Sequence, residues 1–161
     1  KATIVFMRTS FVASALGVEM FEIVDDELEF IGALPTGNKI AHQTSPGKKV
    51  YMAYGTAADF MIADVRAGKT YYSIVRPNWG TGGFAPTPIR KSSSAYNMKS
   101  TDFASWVKST KLQELKKEEA VQWFKENKAK YEGIYTKYWE RFQRKNPNEQ
   151  AERTLNPEDG I

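Results

Sequence analysis

Two stretches decide how the first half of this chain reads: Ser45-Pro46-Gly47-Lys48-Lys49-Val50-Tyr51-Met52-Ala53-Tyr54 and Val65-Arg66-Ala67-Gly68-Lys69-Thr70-Tyr71-Tyr72-Ser73-Ile74-Val75. In each, a turn signal leads into residues that suit a pleated, half-buried surface. Proline presets φ for the second position of a turn and glycine accepts the positive φ of the third, so Ser45-Pro46-Gly47 fits a type II turn. The first stretch predicts a hairpin between 39–44 and 48–54. The second predicts a hairpin between 60–65 and 71–75 around Arg66-Ala67-Gly68-Lys69.

Outward from these turns the same short period continues. Ala2 to Met7 reads as an apolar first strand, and Glu19 to Val24 alternates polar and apolar before the acidic turn Asp25-Asp26 and a further strand at Leu28-Glu29-Phe30-Ile31. Short strands with closely spaced turns predict an N-terminal antiparallel β-sandwich of about seven or eight strands over residues 1–90. Pro86 to Ser100, with Pro88 and Ser92-Ser93-Ser94, reads as a connection over the surface.

The period then lengthens. Ser100-Thr101-Asp102 supplies N-cap oxygens for a short helix through Phe103, Trp106 and Val107. From about Leu112 the spacing of Leu115, Trp123, Phe124, Tyr131, Ile134, Tyr135, Tyr138 and Phe142 predicts a long amphipathic helix with one aromatic stripe. Asn146-Pro147 is a stop signal, and Gly133 inside the pattern suggests a bend or close packing. The fold class is therefore α+β: a β domain over 1–90, a helical extension over 91–147 packed on that domain or on a partner, and a loose tail over 148–161.

Composition bounds the chemistry. The chain of 161 residues has no cysteine and one histidine, His42. Disulfides and thiolate chemistry are excluded, and with His42 as the single imidazole a histidine-built metal site or a Ser-His-Asp triad has little support. No apolar run reaches the roughly 18–20 residues of a membrane-spanning helix. The net charge of +4 is uneven: residues 91–145 carry 13 Lys/Arg against 7 Asp/Glu, whereas the last 16 residues carry one Arg against four acids.

Each apparent motif has a plainer reading. Ala67-Gly68-Lys69-Thr70 imitates the end of a phosphate-binding loop, but Ala63 stands where the first glycine belongs and a strand follows where a helix is needed. Asp25-Asp26-Glu27-Glu29 is an acidic turn without the spaced ligands of a calcium loop. The helix lysines and arginines alternate with Glu114, Glu118, Glu119, Glu126, Glu132 and Glu140, as on a solvated face with i,i+4 pairs. Nucleic-acid or anionic-surface binding through that helix is therefore carried by charge alone. The glycine-rich loop Asn78-Trp79-Gly80-Thr81-Gly82-Gly83-Phe84 reads either as a hairpin connection whose rings cap the β domain or as the ligand lip of a small-ligand-binding or enzyme accessory domain, with Trp79 and Phe84 as anchors. Trp123, Tyr135 and Trp139 on the aromatic stripe are the other candidate contacts. That stripe is too large to stay exposed, so the β domain or a second chain, as in a homodimer, must cover it. No catalytic residue, cofactor site or metal site is assigned.

Phe11-Val12-Ala13-Ser14-Ala15, Phe30-Ile31-Gly32, Ser45-Pro46-Gly47-Lys48 and Ala67-Gly68-Lys69-Thr70-Tyr71-Tyr72 together resemble the DUF2846-like group of bacterial domains, related in style to PEGA and other small lipoprotein-type β-sandwiches. The resemblance covers residues 1–90. It implies a non-enzymatic, extracytoplasmic binding or envelope-associated module, periplasmic or outer-membrane-associated in a Gram-negative bacterium. Membrane association follows only if a lipid anchor precedes Lys1.

Overall fold

The computed structural model describes residues 1–91 and 95–161; the expected Ser92–Ser94 connection lies outside the described residues. Ten strands and three α-helices follow in the order β1 (Ala2–Arg8), β2 (Glu19–Val24), β3 (Glu27–Ala33), β4 (Asn38–Thr44), β5 (Gly47–Tyr54), β6 (Ala58–Val65), β7 (Thr70–Asn78), β8 (Gly83–Ile89), α1 (Thr101–Ser109), β9 (Lys111–Leu112), α2 (Lys117–Gln143), α3 (Pro147–Glu152) and β10 (Thr154–Leu155), with a closing 3-10 turn at Pro157–Asp159. The protein is α+β. The strands form two five-stranded sheets, β8-β7-β1-β4-β9 and β10-β6-β5-β2-β3.

Both turn signals that open the sequence reading lie between the sheets. β4 belongs to the first sheet and β5 to the second, and β6 and β7 are divided in the same way. The expected hairpins there are replaced by corners at which the chain crosses from one sheet to the other. Turn chemistry is local and is satisfied in either case: Gly47 and Gly68 take φ of 116° and 77°. Which strands pair is decided by side chains elsewhere. The true hairpins are β2–β3, β5–β6 and β7–β8. In the first, Asp25 and Asp26 both take positive φ, 50° and 61°, as the two central residues of a type I′ turn require.

The antiparallel expectation is also corrected. β1 runs parallel to β7, β9 parallel to β4 and β10 parallel to β6, so both sheets are mixed. The Pro86–Ser100 segment begins as a strand, not as a surface connection. Its prolines sit opposite Val75 and Ser73, on an edge strand whose outer side has no ladder to donate to, which is where proline is tolerated.

Alternation along each strand divides the apolar residues among three clusters. Ile4, Phe6, Ile40, Tyr71 and Val75 of the first sheet meet Met20, Tyr51, Ala53, Met61 and Val65 of the second in the main core. The opposite face of the second sheet, with Phe21, Leu28, Met52 and Phe60, packs on Tyr131, Tyr135 and Phe142 of α2. The opposite face of the first sheet, with Val5, Met7, Ile74 and Ile89, is met by Phe103, Trp106 and Val107 of α1. The Ser100 hydroxyl caps α1 by accepting from Phe103 N at 3.1 Å.

The long helix starts at Lys117 rather than near Leu112. Lys111 N donates to Gly37 O and Gln113 N to Lys39 O, both at 2.9 Å, so Leu112 lies in a strand beside β4. A Cβ at Gly133 would meet nothing within 4 Å, which removes the close packing suggested there. Asn146-Pro147 does more than stop α2. Asn146 forms a capping box with Glu149, and Pro147 opens α3. The closing residues are not a loose tail. Leu155 is fully buried, and Ile161 and Thr70 exchange backbone hydrogen bonds at 2.7 and 3.0 Å.

Candidate functional site

The β7–β8 loop carries Trp79 at one end of the molecule. Asn78 organises it: its Oδ1 accepts from Gly80 N at 3.1 Å, and its carbonyl accepts from Gly82 N at 2.9 Å. Its amide donates to Asp59 Oδ2 at 2.6 Å, and the Thr56 hydroxyl donates to Gly82 O at 2.5 Å. Gly83 presses so closely on the β5–β6 turn that a Cβ there would lie 2.4 Å from Ala57 O. The glycines thus let two hairpin ends interlock. The loop is tied at its base, yet Trp79 remains 79% exposed.

Beside it lies the β1–β2 connection. Arg8, fully buried at the end of β1, donates to Leu34 O at 2.8 Å and to Ala13 O at 3.1 Å, and its guanidinium stacks 4.6 Å from the Phe84 ring centroid. Burial lowers the pKa of this guanidinium. The connection it holds presents Phe11 at 86% exposure and Val12 at 47%. Between the two loops and α1 lies a cleft of about 290 Å³ whose lining includes Thr9, Ser10, Val12, Ile74, Arg76, Pro77, Trp79, Tyr96 and Trp106. Arg76 lies 4.9 Å over the Tyr96 ring, and Tyr96 stacks on Trp106 at 6.2 Å. Among the described residues the cleft offers rings, hydroxyls and one guanidinium, and no carboxylate or imidazole lines it.

The expected contact residues separate. Trp79 is on this surface. Phe84 is not, because it is buried under Arg8. Trp123, Tyr135 and Trp139 are taken up by the chain's own second sheet. Trp123 packs 4.7 Å from Phe30, and Trp139 packs 5.0 Å from Phe60. The Tyr135 hydroxyl donates to Asp26 Oδ1 at 3.2 Å, and burial followed by that carboxylate pushes the phenol up to about 12. The stripe that called for a partner or a homodimer contact is therefore covered within the chain. The capping alternative for the glycine-rich loop fails for Trp79 and holds for Phe84.

Sequence reading missed Arg76, Tyr96 and Trp106 as companions of Trp79. They come from β7, the segment after β8, and α1, and nothing in their spacing joins them. The exposed pair Phe11-Val12 was available as a signal, since it stands alone among small and hydroxylated residues.

A polar cluster at the main core joins Glu22, His42 and Tyr51. Tyr51 donates to Glu22 Oε2 at 2.5 Å, and His42 Nε2 lies 2.9 Å from the same oxygen. Burial alone would raise the Glu22 carboxyl. Hydrogen bonds from His42, Tyr51 and Thr44, with the attraction of His42, outweigh it and hold the group below its usual value. Burial and the adjacent carboxylate push the Tyr51 phenol far upward. The arrangement ties β4 of one sheet to β2 and β5 of the other. Among the described residues, no three His, Asp or Glu side chains converge as a metal site, and no helix is long and apolar enough to cross a membrane. Comparison with protein-family models, with curated proteins and with solved structures finds no match for this chain.

Proposed function

We propose that this protein is a non-enzymatic binding module, built on a β-sandwich, whose ligand surface is the cleft beside Trp79. The sandwich reading is supported by a main core filled from both sheets. The functional reading rests on one observation: an indole 79% exposed stands on a loop whose base is tied by hydrogen bonds to Asn78, Asp59 and Thr56. A large ring carried on an anchored backbone offers contact area with few torsions left to order, and tryptophan is enriched in binding hot spots. Acid–base catalysis draws most often on histidine or a carboxylate, and the lining among the described residues includes neither. The ligand class that fits is an aromatic or apolar group able to stack on Trp79 and Trp106. An extracytoplasmic, envelope-associated setting is the part of this reading that rests on the resemblance of residues 1–90 to DUF2846-like domains.

A ligand-observed NMR screen of aromatic fragments against the full chain tests the cleft. Fragments that bind the wild type should lose at least about tenfold in affinity in Trp79→Ala, with the melting temperature nearly unchanged. Hits that bind both proteins equally, or a large drop in melting temperature, would overturn the assignment.

A further inference from the structure

A second cavity, of about 470 Å³, gathers Arg76, Arg90 and Arg153 beside Thr87 and Tyr96, with Glu152 as the one carboxylate among the described lining residues. We infer that this cavity is a binding site for a small molecule carrying a phosphate group. It shares Arg76 and Tyr96 with the lining of the Trp79 cleft, but its reading as a phosphate site does not rest on the reading of that cleft.

The charge at this cavity is not balanced from within. Arg153 is paired with buried Asp59 at 3.2 Å and donates to Phe60 O at 3.1 Å. Among the described residues, no carboxylate pairs with Arg76 or Arg90. Their fixed contacts are to Pro77 O at 3.3 Å for Arg76 and to Ala151 O for Arg90, neither of which neutralises a cation. With Arg153 neutralised by Asp59, Arg76 and Arg90 are the two guanidinium groups of this concave surface without a carboxylate partner among the described residues; they repel one another and give the cavity a positive potential. An anion in the cavity would reverse the sign of that interaction.

Donor capacity also stands unspent. The Nε–H groups of Arg76 and Arg153 are buried without an acceptor, an arrangement that is unfavourable unless something supplies one. Nε and Nη of one guanidinium can grip two oxygens of a phosphate as a fork; both Nε atoms are shielded from solvent, so that grip requires the Arg76 or Arg153 side chain to turn toward the cavity. The arginines are placed by separate elements: Arg76 on β7, Arg90 just after β8, and Arg153 at the C-cap of α3. The walls are already built. Arg90 N donates to Tyr96 O at 3.0 Å, Met98 N donates to Arg90 O at 2.8 Å, and the Arg76 guanidinium lies 4.9 Å over the Tyr96 ring. The volume falls within the roughly 300–1,000 Å³ usual for small-molecule sites, which leaves room for an organic body beyond the phosphate itself.

The test uses the full chain with inorganic phosphate and phenyl phosphate as probes, and chloride and acetate at matched ionic strength as controls. Calorimetry should show saturable binding of both phosphates that the controls do not reproduce. In the wild type the side-chain Nε–H resonances of Arg76 and Arg153 should shift along the same isotherm. Arg90→Gln should weaken binding by about tenfold or more, and Arg76→Gln with Arg90→Gln should abolish it, while Trp79→Ala leaves it intact. Phosphate that acts no differently from chloride would overturn the proposal. So would a folded double variant that binds like the wild type. If the double variant does not fold, the wild-type Nε–H titration decides: resonances that do not move with phosphate reject the site.

Discussion

Glu22 and Tyr51 face each other across the β2–β5 ladder, and the Tyr51 hydroxyl donates to the Glu22 carboxylate at 2.5 Å. That carboxylate also reaches His42 on the other sheet at 2.9 Å. Glu22→Gln should therefore destabilise the protein at neutral pH by about 1–3 kcal/mol, the range for disturbing a buried hydrogen-bonded polar group. The pH dependence has a definite sign. Hydrogen bonds hold the Glu22 carboxyl below its usual value in the folded state despite burial, so its stabilising effect is present above the unfolded pKa of about 4.3 and is lost as pH falls through the folded one. Burial raises the Glu19 carboxyl, which works in the opposite direction, but Glu19 is present in both proteins and cancels in the comparison. Urea unfolding at neutral and acidic pH should show the gap between wild type and Glu22→Gln narrowing below about pH 4. A gap independent of pH would reject the tie as described.

Arg8 is a buried cation that bonds to carbonyls rather than to a carboxylate. Arg8→Met keeps much of the side-chain volume but leaves Leu34 O and Ala13 O without this donor. The expected loss is at least about 2 kcal/mol, with faster hydrogen exchange at the Ser14 and Leu16 amides, which bond within the connection that Arg8 holds. Buried charges can also be replaced by apolar groups with a gain in stability. A methionine variant more stable than wild type would show that desolvation of Arg8 outweighs its hydrogen bonds.

The aromatic stripe of α2 should behave as core. Phe60 sits 5.0 to 6.1 Å from the rings of Trp139, Phe142 and Tyr135. Phe60→Ala should cost about 3–5 kcal/mol and raise binding of a hydrophobic dye, whereas Val121→Ser on the exposed side of the same helix should stay within about 0.5 kcal/mol. Equal effects of the two substitutions would mean that α2 is not seated on the sheet.

Local pattern was enough to find most strands, because alternation between two covered faces is written residue by residue; Glu19–Val24 is read with the same ends in sequence and structure. Pairing was not legible. Pro46-Gly47 and Gly68 make the same local turn whether the chain returns along its neighbour or crosses to the other sheet, and the choice is made by Tyr51, Phe6 and Tyr71 meeting in a shared core. Prolines hid β8 because their cost depends on whether the strand is at an edge, which is a property of the sheet. At the candidate site, Trp79 was visible as a ring among glycines. Arg76, Arg90 and Arg153 were not, because three arginines spread along a chain have no common signature until strands and a helix cap bring them to one cavity.

The last residues give the sharpest contrast between composition and structure. Residues 148–161 look too polar to be held, but one leucine and a few backbone bonds suffice. Leu155 is buried in the main core, and Tyr71 donates to Pro157 O at 2.9 Å while accepting from Arg66 N at 2.9 Å. Asp159 Oδ1 accepts from Lys91 N at 3.1 Å, which fastens the tail to the end of the first sheet. Leu155→Ala should cost about 2–5 kcal/mol. Gly160→Ala is a more selective probe, because a Cβ there would lie 2.6 Å from the Tyr71 ring and 2.9 Å from Lys69 Cβ. That collision pushes the terminus off without removing any core atom. Gly160→Ala should lower the melting temperature and expose the tail to limited proteolysis, and deletion of residues 146–161 should destabilise the protein more than either substitution. A deletion variant as stable as the full chain would show that the tail lies on the sheets without supporting them.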